Sequence, residues 1–189
     1  VIAIRRARPA DAVAIGAVHV AAWRSAYPGI LPDDFLARLS VPRQAAHYDS
    51  AIRGGVGVHV ATASGRDLPD HGAGWPGGSR VIGFVTAARS RQPRLAEGEI
   101  ETLYMLDDWR ERGLGRLLLG TAATHLASLG CRSVFLWVLR DNPSRWFYQH
   151  LGGRAAAEGE THVAGQTLAQ LAFVWDPIER LVAAASRAT

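Results

Sequence analysis

The stretch Glu99-Ile100-Glu101-Thr102-Leu103-Tyr104-Met105-Leu106, running on through Arg110-Glu111-Arg112-Gly113-Leu114-Gly115 into Arg116-Leu117-Leu118-Leu119, decides how this chain reads. An apolar strand feeds a glycine turn that opens a leucine-rich helix. Such a turn is an anion site: the first N–H groups of a helix have no partner inside it, and the dipole adds positive potential there. Gly113 and Gly115 let a bulky phosphate approach the backbone, although two glycines before a helix also occur for conformational reasons alone. The dinucleotide fingerprint needs a third glycine where Leu118 stands and an acid about 20 residues on, near Phe135 and its apolar neighbours. A dinucleotide-binding reading therefore fits the stretch poorly.

Working outward, residues 97–106, 113–129 and 133–139 form a strand, helix, strand unit with a parallel crossover. Upstream, residues 1–7 read as a strand and 9–26 as a helix opened by Pro9; residues 33–39 and 42–53 give two shorter helices. Residues 56–63 and 80–88 are rich in β-branched side chains and read as strands. The glycine- and proline-rich residues 67–79 between them read as a mobile insertion in a hairpin. Downstream, residues 143–151 are a short helix, 154–163 and 167–175 a closing hairpin turned at Gly165, and the tail from Pro177 is helical or frayed. The expected fold is α/β, with a mixed, partly parallel central sheet and helices on both faces. A single domain over residues 1–176 is followed by a tail, 177–189.

Composition narrows the chemistry. The 189 residues suit one globular domain, with 48% hydrophobic and 20% charged side chains. All 21 basic residues are arginine, so P-loop, kinase and Schiff-base chemistry that needs a lysine is excluded. The net charge of +4 is spread along the chain, so nucleic acid is not indicated. The lone cysteine, Cys131, has no disulfide or Cys-x-x-Cys partner, reads as a small buried residue, and fits a reducing, cytoplasmic setting. No segment reads as a signal peptide or approaches the ~20 apolar residues of a membrane span, so no membrane partner is expected. No cluster with metal-ligand spacing stands out, and no metal is expected.

A second stretch completes the pattern: Asn142-Pro143-Ser144-Arg145-Trp146-Phe147-Tyr148-Gln149-His150-Leu151-Gly152. Together the two resemble the GNAT superfamily of N-acetyltransferases. Arg110-Glu111-Arg112-Gly113-Leu114-Gly115 is similar to its pyrophosphate loop, (Gln or Arg)-x-x-Gly-x-(Gly or Ala), placed after a strand like Glu-Ile-x-x-Leu-Tyr-Val. The second stretch resembles its Asn…Phe-Tyr…Leu-Gly signature, and Trp23 to Pro32 resembles its first helix and acceptor loop. The resemblance covers most of the chain and weakens after Gly153. Two departures stand out: Glu111 where members often carry glycine, and an Asn-to-Tyr spacing one residue shorter than the commonest form.

The resemblance implies acetyl-CoA as cosubstrate, its pyrophosphate cradled by the amides of Arg112, Gly113, Leu114, Gly115 and Arg116. The main chain of Leu103 and Met105 would pair with the pantetheine arm as an added strand, an N–H near Met105 would meet the oxyanion, and Asn142 would contact the cofactor. Arg110, Arg112 and Arg116 either add charge there or are solvated helix-end arginines. The implied acceptor is the primary amine of a small molecule or peptide, and a homodimer is allowed. An alkylamine is neutral to roughly 0.1% or less at pH 7, so a base or a dry pocket must take its proton. Glu99 and Glu101 share one face of their strand and are the candidate bases, or else edge carboxylates in salt bridges. Tyr148 is the candidate acid for the departing thiolate. His19, Trp23 and Tyr27 recur at i, i+4 and i+8 and shape the acceptor pocket, or form a core stripe. A non-catalytic acyl-CoA sensor would keep the loop and lose acid and base.

Overall fold

The computed structural model describes residues 1–65 and 78–187. Among the described residues seven strands and six α-helices follow in chain order: β1 Ile2–Arg6, α1 Ala12–Ala26, α2 Asp33–Ala37, α3 Val41–Arg53, β2 Gly57–Ala63, β3 Arg80–Arg89, β4 Gly98–Met105, α4 Leu114–Ser128, β5 Val134–Leu139, α5 Ser144–His150, β6 Arg154–Val163, β7 Gln166–Trp175 and α6 Glu179–Ser186. Pro9 opens a 3-10 turn, Pro9–Asp11, and α1 starts one turn later than the sequence suggested. The insertion expected over residues 67–79 lies outside the described residues except at its last two positions.

The strands form one sheet in the order β1-β2-β3-β4-β5-β7-β6. β4 and β5 run parallel, joined by a crossover through α4, and the other neighbours are antiparallel. The mixed sheet with helices on both faces is as expected. On one face α4 buries Leu118, Leu119 and Leu126 against Ile82, Val85, Ile100, Val134 and Leu136. On the other, Ile15 and Val18 of α1 and Tyr48 of α3 pack on Val58, Val60, Val81 and Phe84. Alternation along the strands sends successive side chains to opposite cores.

The β6–β7 hairpin turns on Ala164 and Gly165, both with positive φ, +53° and +74°, the backbone that a two-residue turn of this hand requires. The segment after Trp175 is helical. Ile178, Leu181 and Ala185 are buried, with Ile178 and Leu181 in the α4 core, so that core continues past the expected domain end at residue 176. Apolar spacing within one short amphipathic turn did not show whether it would dock; only the presence of α4 opposite it does.

Two irregularities in the centre of the sheet prepare a site. β4 pairs with β3 through Ala87↔Ile100 and Thr86↔Thr102, leaving Glu101 as the extra residue of a bulge. β4 and β5 pair only at Gly98↔Val134 and Glu99↔Phe135. Beyond Glu99 the two strands part, and among the described residues the edge of β4 that faced β5 has no strand beside it.

Candidate active site

The glycine turn stands at the end of that free edge. Gly113 caps α4 at φ +75°, and no side chain caps the helix, whereas α3 is capped by Ser40, whose Oγ accepts from the Arg43 N–H at 3.3 Å. The helix bonding opens with the Leu117 N–H on the Gly113 carbonyl, 3.1 Å, and the N–H groups of Leu114 and Gly115 precede it at the helix start. No acidic residue lies in the first turn. Glu111, where the resemblance expects glycine, adopts φ +62°, the left-handed backbone that glycine tolerates best.

The arginines expected at this turn differ in their surroundings. Arg110 pairs with Asp107 at 3.1 Å, Arg112 lies over the Trp109 ring at 4.8 Å, and the Arg116 guanidinium lies beside Gly113. Gly115 marks a close approach: a Cβ there would lie 3.2 Å from Met105 Cε and 3.6 Å from Phe147 Cζ. The turn, the end of β4 and helix α5 therefore converge at Gly115. Leu103 and Met105 both pack against the α4 core, and their main chain lies on the stretch of β4 that β5 has left.

Helix α5 places Tyr148 within the same core, 8% exposed, with ring centroids 5.5 Å from Phe147 and 6.2 Å from Phe173. Burial pushes its hydroxyl pKa up, so it stays protonated at neutral pH. Asn142 is used in two ways: its Oδ1 accepts from the Ser144 N–H at 2.9 Å, tightening the start of α5, and its Nδ2 donates to the Tyr27 hydroxyl at 3.5 Å. Asn142 thus ties α5 to the end of α1.

On the opposite face of the sheet the aromatic stripe of α1 is joined by residues the sequence did not single out. The His19 ring stacks on Trp23 at 5.1 Å, meets Tyr104 of β4 edge-on at 5.2 Å, and has Nδ1 2.7 Å from the Tyr48 hydroxyl. Burial, with a smaller contribution from His47, lowers the His19 pKa to about 4, leaving a neutral ring. Trp23 meets Tyr27 at 4.9 Å. Tyr48 and Tyr104 come from other elements and had no local signature beyond a buried aromatic.

Glu99 and Glu101 both face Arg91, at 3.9 and 4.0 Å. Their shared face survives the bulge, which turns the extra residue back toward its neighbour. Glu99 is the more buried, its side chain 11% exposed against 33% for Glu101. Burial raises the Glu99 pKa, Arg91 opposes the rise, and Glu101 adds to it. Among the described residues, no group of three or more His, Cys, Asp or Glu is placed to hold a metal ion, and no helix is long and apolar enough to cross a membrane.

The uncapped helix start, the stretch of β4 that β5 leaves, Tyr148 and the two carboxylates together form a candidate acyl-transfer site. The comparisons with known proteins agree. The Acetyltransferase (GNAT) family pattern matches residues 41–152. The chain is 30% identical over 181 residues to YuaI of Bacillus subtilis (strain 168), described as an uncharacterized N-acetyltransferase, covering 95% of this chain and 96% of that one. Its fold is similar to a GCN5-related N-acetyltransferase from Rhodopseudomonas palustris, with TM-score 0.68, 19% identity, and 92% and 94% of the two chains covered. It is also similar in fold to yncA, a putative acetyltransferase from Salmonella typhimurium solved with its cofactor acetyl-CoA, with TM-score 0.64, 20% identity, and 93% and 94% covered. The chain belongs to the GNAT family and is an acetyltransferase.

Proposed function

We propose that the protein transfers the acetyl group of acetyl-CoA to the primary amine of a small-molecule or peptide acceptor by direct attack on the thioester. The observation that carries this reading is the parting of β4 and β5 beside the uncapped start of α4. It offers unpaired main chain for an extended amide-bearing arm, next to N–H donors for phosphates. The residues present fit that cosubstrate, which supplies the activated acetyl group.

In this reading the amides of Arg112 to Arg116 hold the pyrophosphate, with Arg110, Arg112 and Arg116 adding charge. The main chain of Leu103 and Met105 orients the arm, and an N–H near Met105 faces the carbonyl oxygen. Asn142 serves by fixing the start of α5, and Trp23 and Tyr27 line the acceptor side. As the new N–C bond forms and the C–S bond breaks, Glu99 or Glu101 takes the amine proton, directly or through a water. Tyr148 donates a hydrogen bond to the leaving sulfur. The buried lone thiol of Cys131 supports a reducing, cytoplasmic setting.

Calorimetry tests the cosubstrate. Acetyl-CoA is expected to bind at least about tenfold more tightly than NAD, because Leu118 stands where the dinucleotide turn needs glycine. Equal or tighter binding of NAD would sink the reading. Binding of acetyl-CoA with no turnover across a panel of amines and peptides would favour a sensor.

Glu99→Gln tests the base. A base with a raised pKa gains its charge only as pH rises through that value, so the wild-type rate should climb there, and the variant should lose that limb. The same shift has a sign for stability. A carboxyl whose pKa is higher folded than unfolded favours folding below the ordinary carboxylate range and loses that contribution as pH rises through the folded value. Glu99→Gln should therefore melt at a higher temperature than wild type at pH 7 and show no such gain near pH 4. Rate profiles that keep the acidic limb in Glu99→Gln would move the role to Glu101.

A further inference from the structure

A groove of about 460 Å³ is lined by the loop Arg91-Gln92-Pro93-Arg94-Leu95 with Trp137 and Ala157, and Arg91 connects it to the paired carboxylates. It opens on the acceptor side of the sheet. Along β5, Val134, Leu136 and Val138 face the α4 core. Phe135 and Trp137 face the other way, with Leu95 and Ala96, and Leu139 on that same side packs with Tyr27 and Ile30 of the α1–α2 loop. Arg91 belongs to both the groove and the site, since its guanidinium reaches toward Glu99 and Glu101 from the groove wall.

That guanidinium is poorly committed. Its distances of 3.9 and 4.0 Å are too long for hydrogen bonds, and its side chain is 79% exposed. The acceptor's reacting amine therefore arrives where two carboxylates and a planar five-donor cation stand together. A purely cationic acceptor would satisfy Glu99 and Glu101 but would meet Arg91 and Arg94 as like charges. A peptide N-terminus carries no carboxylate beside its amine and would leave the Arg91 fork unmatched. A zwitterion satisfies both signs at once, and a carboxylate matches the guanidinium fork in two parallel bonds. Apart from the polar Gln92, the rest of the groove, Pro93, Leu95, Trp137 and Ala157, is apolar.

We propose that the acceptor is a free α-amino acid with an apolar side chain: its ammonium group against Glu99 and Glu101, its carboxylate on Arg91, and its side chain along Trp137 and Leu95. This deepens the acetyl-transfer reading and rests on it. It narrows the acceptor from any primary amine to a small zwitterion.

The test measures acetyl-CoA-dependent turnover of L-phenylalanine and L-leucine beside their primary amides, in wild type, Arg91→Ala and Arg91→Lys. The wild type should prefer the free acids. Arg91→Ala should raise KM for the acids about 10- to 100-fold, the size of a charge-assisted contact, while leaving KM for the amides in place. Arg91→Lys should restore part of the difference, since it keeps the charge and loses the fork. Because Arg91 also favours the ionised form of Glu99, kcat should fall in Arg91→Ala for both acceptor types, so the split lies in KM. Amides turned over as well as acids by wild type, or an equal change in KM for both in Arg91→Ala, would overturn the proposal. No turnover of either amino acid by a protein that binds acetyl-CoA would overturn it too, and leave the acetyltransferase reading standing. Failure to bind acetyl-CoA would remove both.

Discussion

Gly113→Glu is expected to weaken acetyl-CoA binding by at least about 10²-fold while the protein stays folded. Two physical effects act at the same point. A carboxylate placed at the start of α4 faces the phosphates that the uncapped N–H groups would hold, and like charges in such contact cost several kcal/mol. The Cβ itself meets little, since the nearest atom to its ideal position is an Arg116 guanidinium nitrogen at 3.8 Å. The structural cost is therefore the backbone: φ +75° is unfavourable for an L-residue by about 1–2 kcal/mol, which in a chain of this size lowers Tm by roughly 2–8 °C. Gly115 would not separate the two effects, because a Cβ there presses on Met105 and Phe147. Calorimetry together with thermal melts reads both quantities. A folded Gly113→Glu protein with wild-type affinity for acetyl-CoA would show that the phosphates lie elsewhere.

Tyr148→Phe should instead spare the cofactor and slow the chemistry. The ring sits between Phe147 and Phe173 and keeps its packing when only the hydroxyl is removed. Burial raises the pKa of that hydroxyl, and the thiolate it would assist has a pKa near 8.5, so the proton is shared with the sulfur and not fully surrendered. A hydrogen bond of this kind contributes less than complete proton transfer. The expected fall in kcat is therefore about 10²-fold or less, at the low end for general acid catalysis, with Kd for acetyl-CoA unchanged. The raised pKa also means that Tyr148 should not titrate through the mildly alkaline range, so a basic-side loss of rate there must come from another group. Single-turnover rates equal to wild type in Tyr148→Phe would make it a packing residue and leave the thiolate unassisted.

Much of the local structure at the candidate site was legible because its signals are local. A strand, two glycines and a leucine-rich helix lie within about twenty residues, and helix-start geometry alone makes them an anion site. The hairpin at Ala164 and Gly165 and the crossover from β4 to β5 were legible for the same reason: turn chemistry and apolar period act over a few residues. That Glu99 and Glu101 share a face was legible from strand alternation, although the bulge at Glu101 was not.

The distances that turn these pieces into a site were set by tertiary structure. Nothing in residues 98–105 or 134–139 states that β4 and β5 part after two paired positions. Tyr48 and Tyr104 joined His19, Trp23 and Tyr27 because three separate elements bury aromatic faces against one another, and burial is a property of the assembled layers. Arg91 read as one arginine among many until the loop before β4 brought it within 4.0 Å of two carboxylates. Helix α6 looked like a tail until α4 stood opposite its buried face. By itself the sequence determined the local conformations and the class of ligand they can hold, since capping, φ preference and periodicity depend on near neighbours. Which side chains meet, which carboxylate is desolvated and where the strand edge is left open depend on contacts between residues far apart in the chain, and only the folded structure decided them.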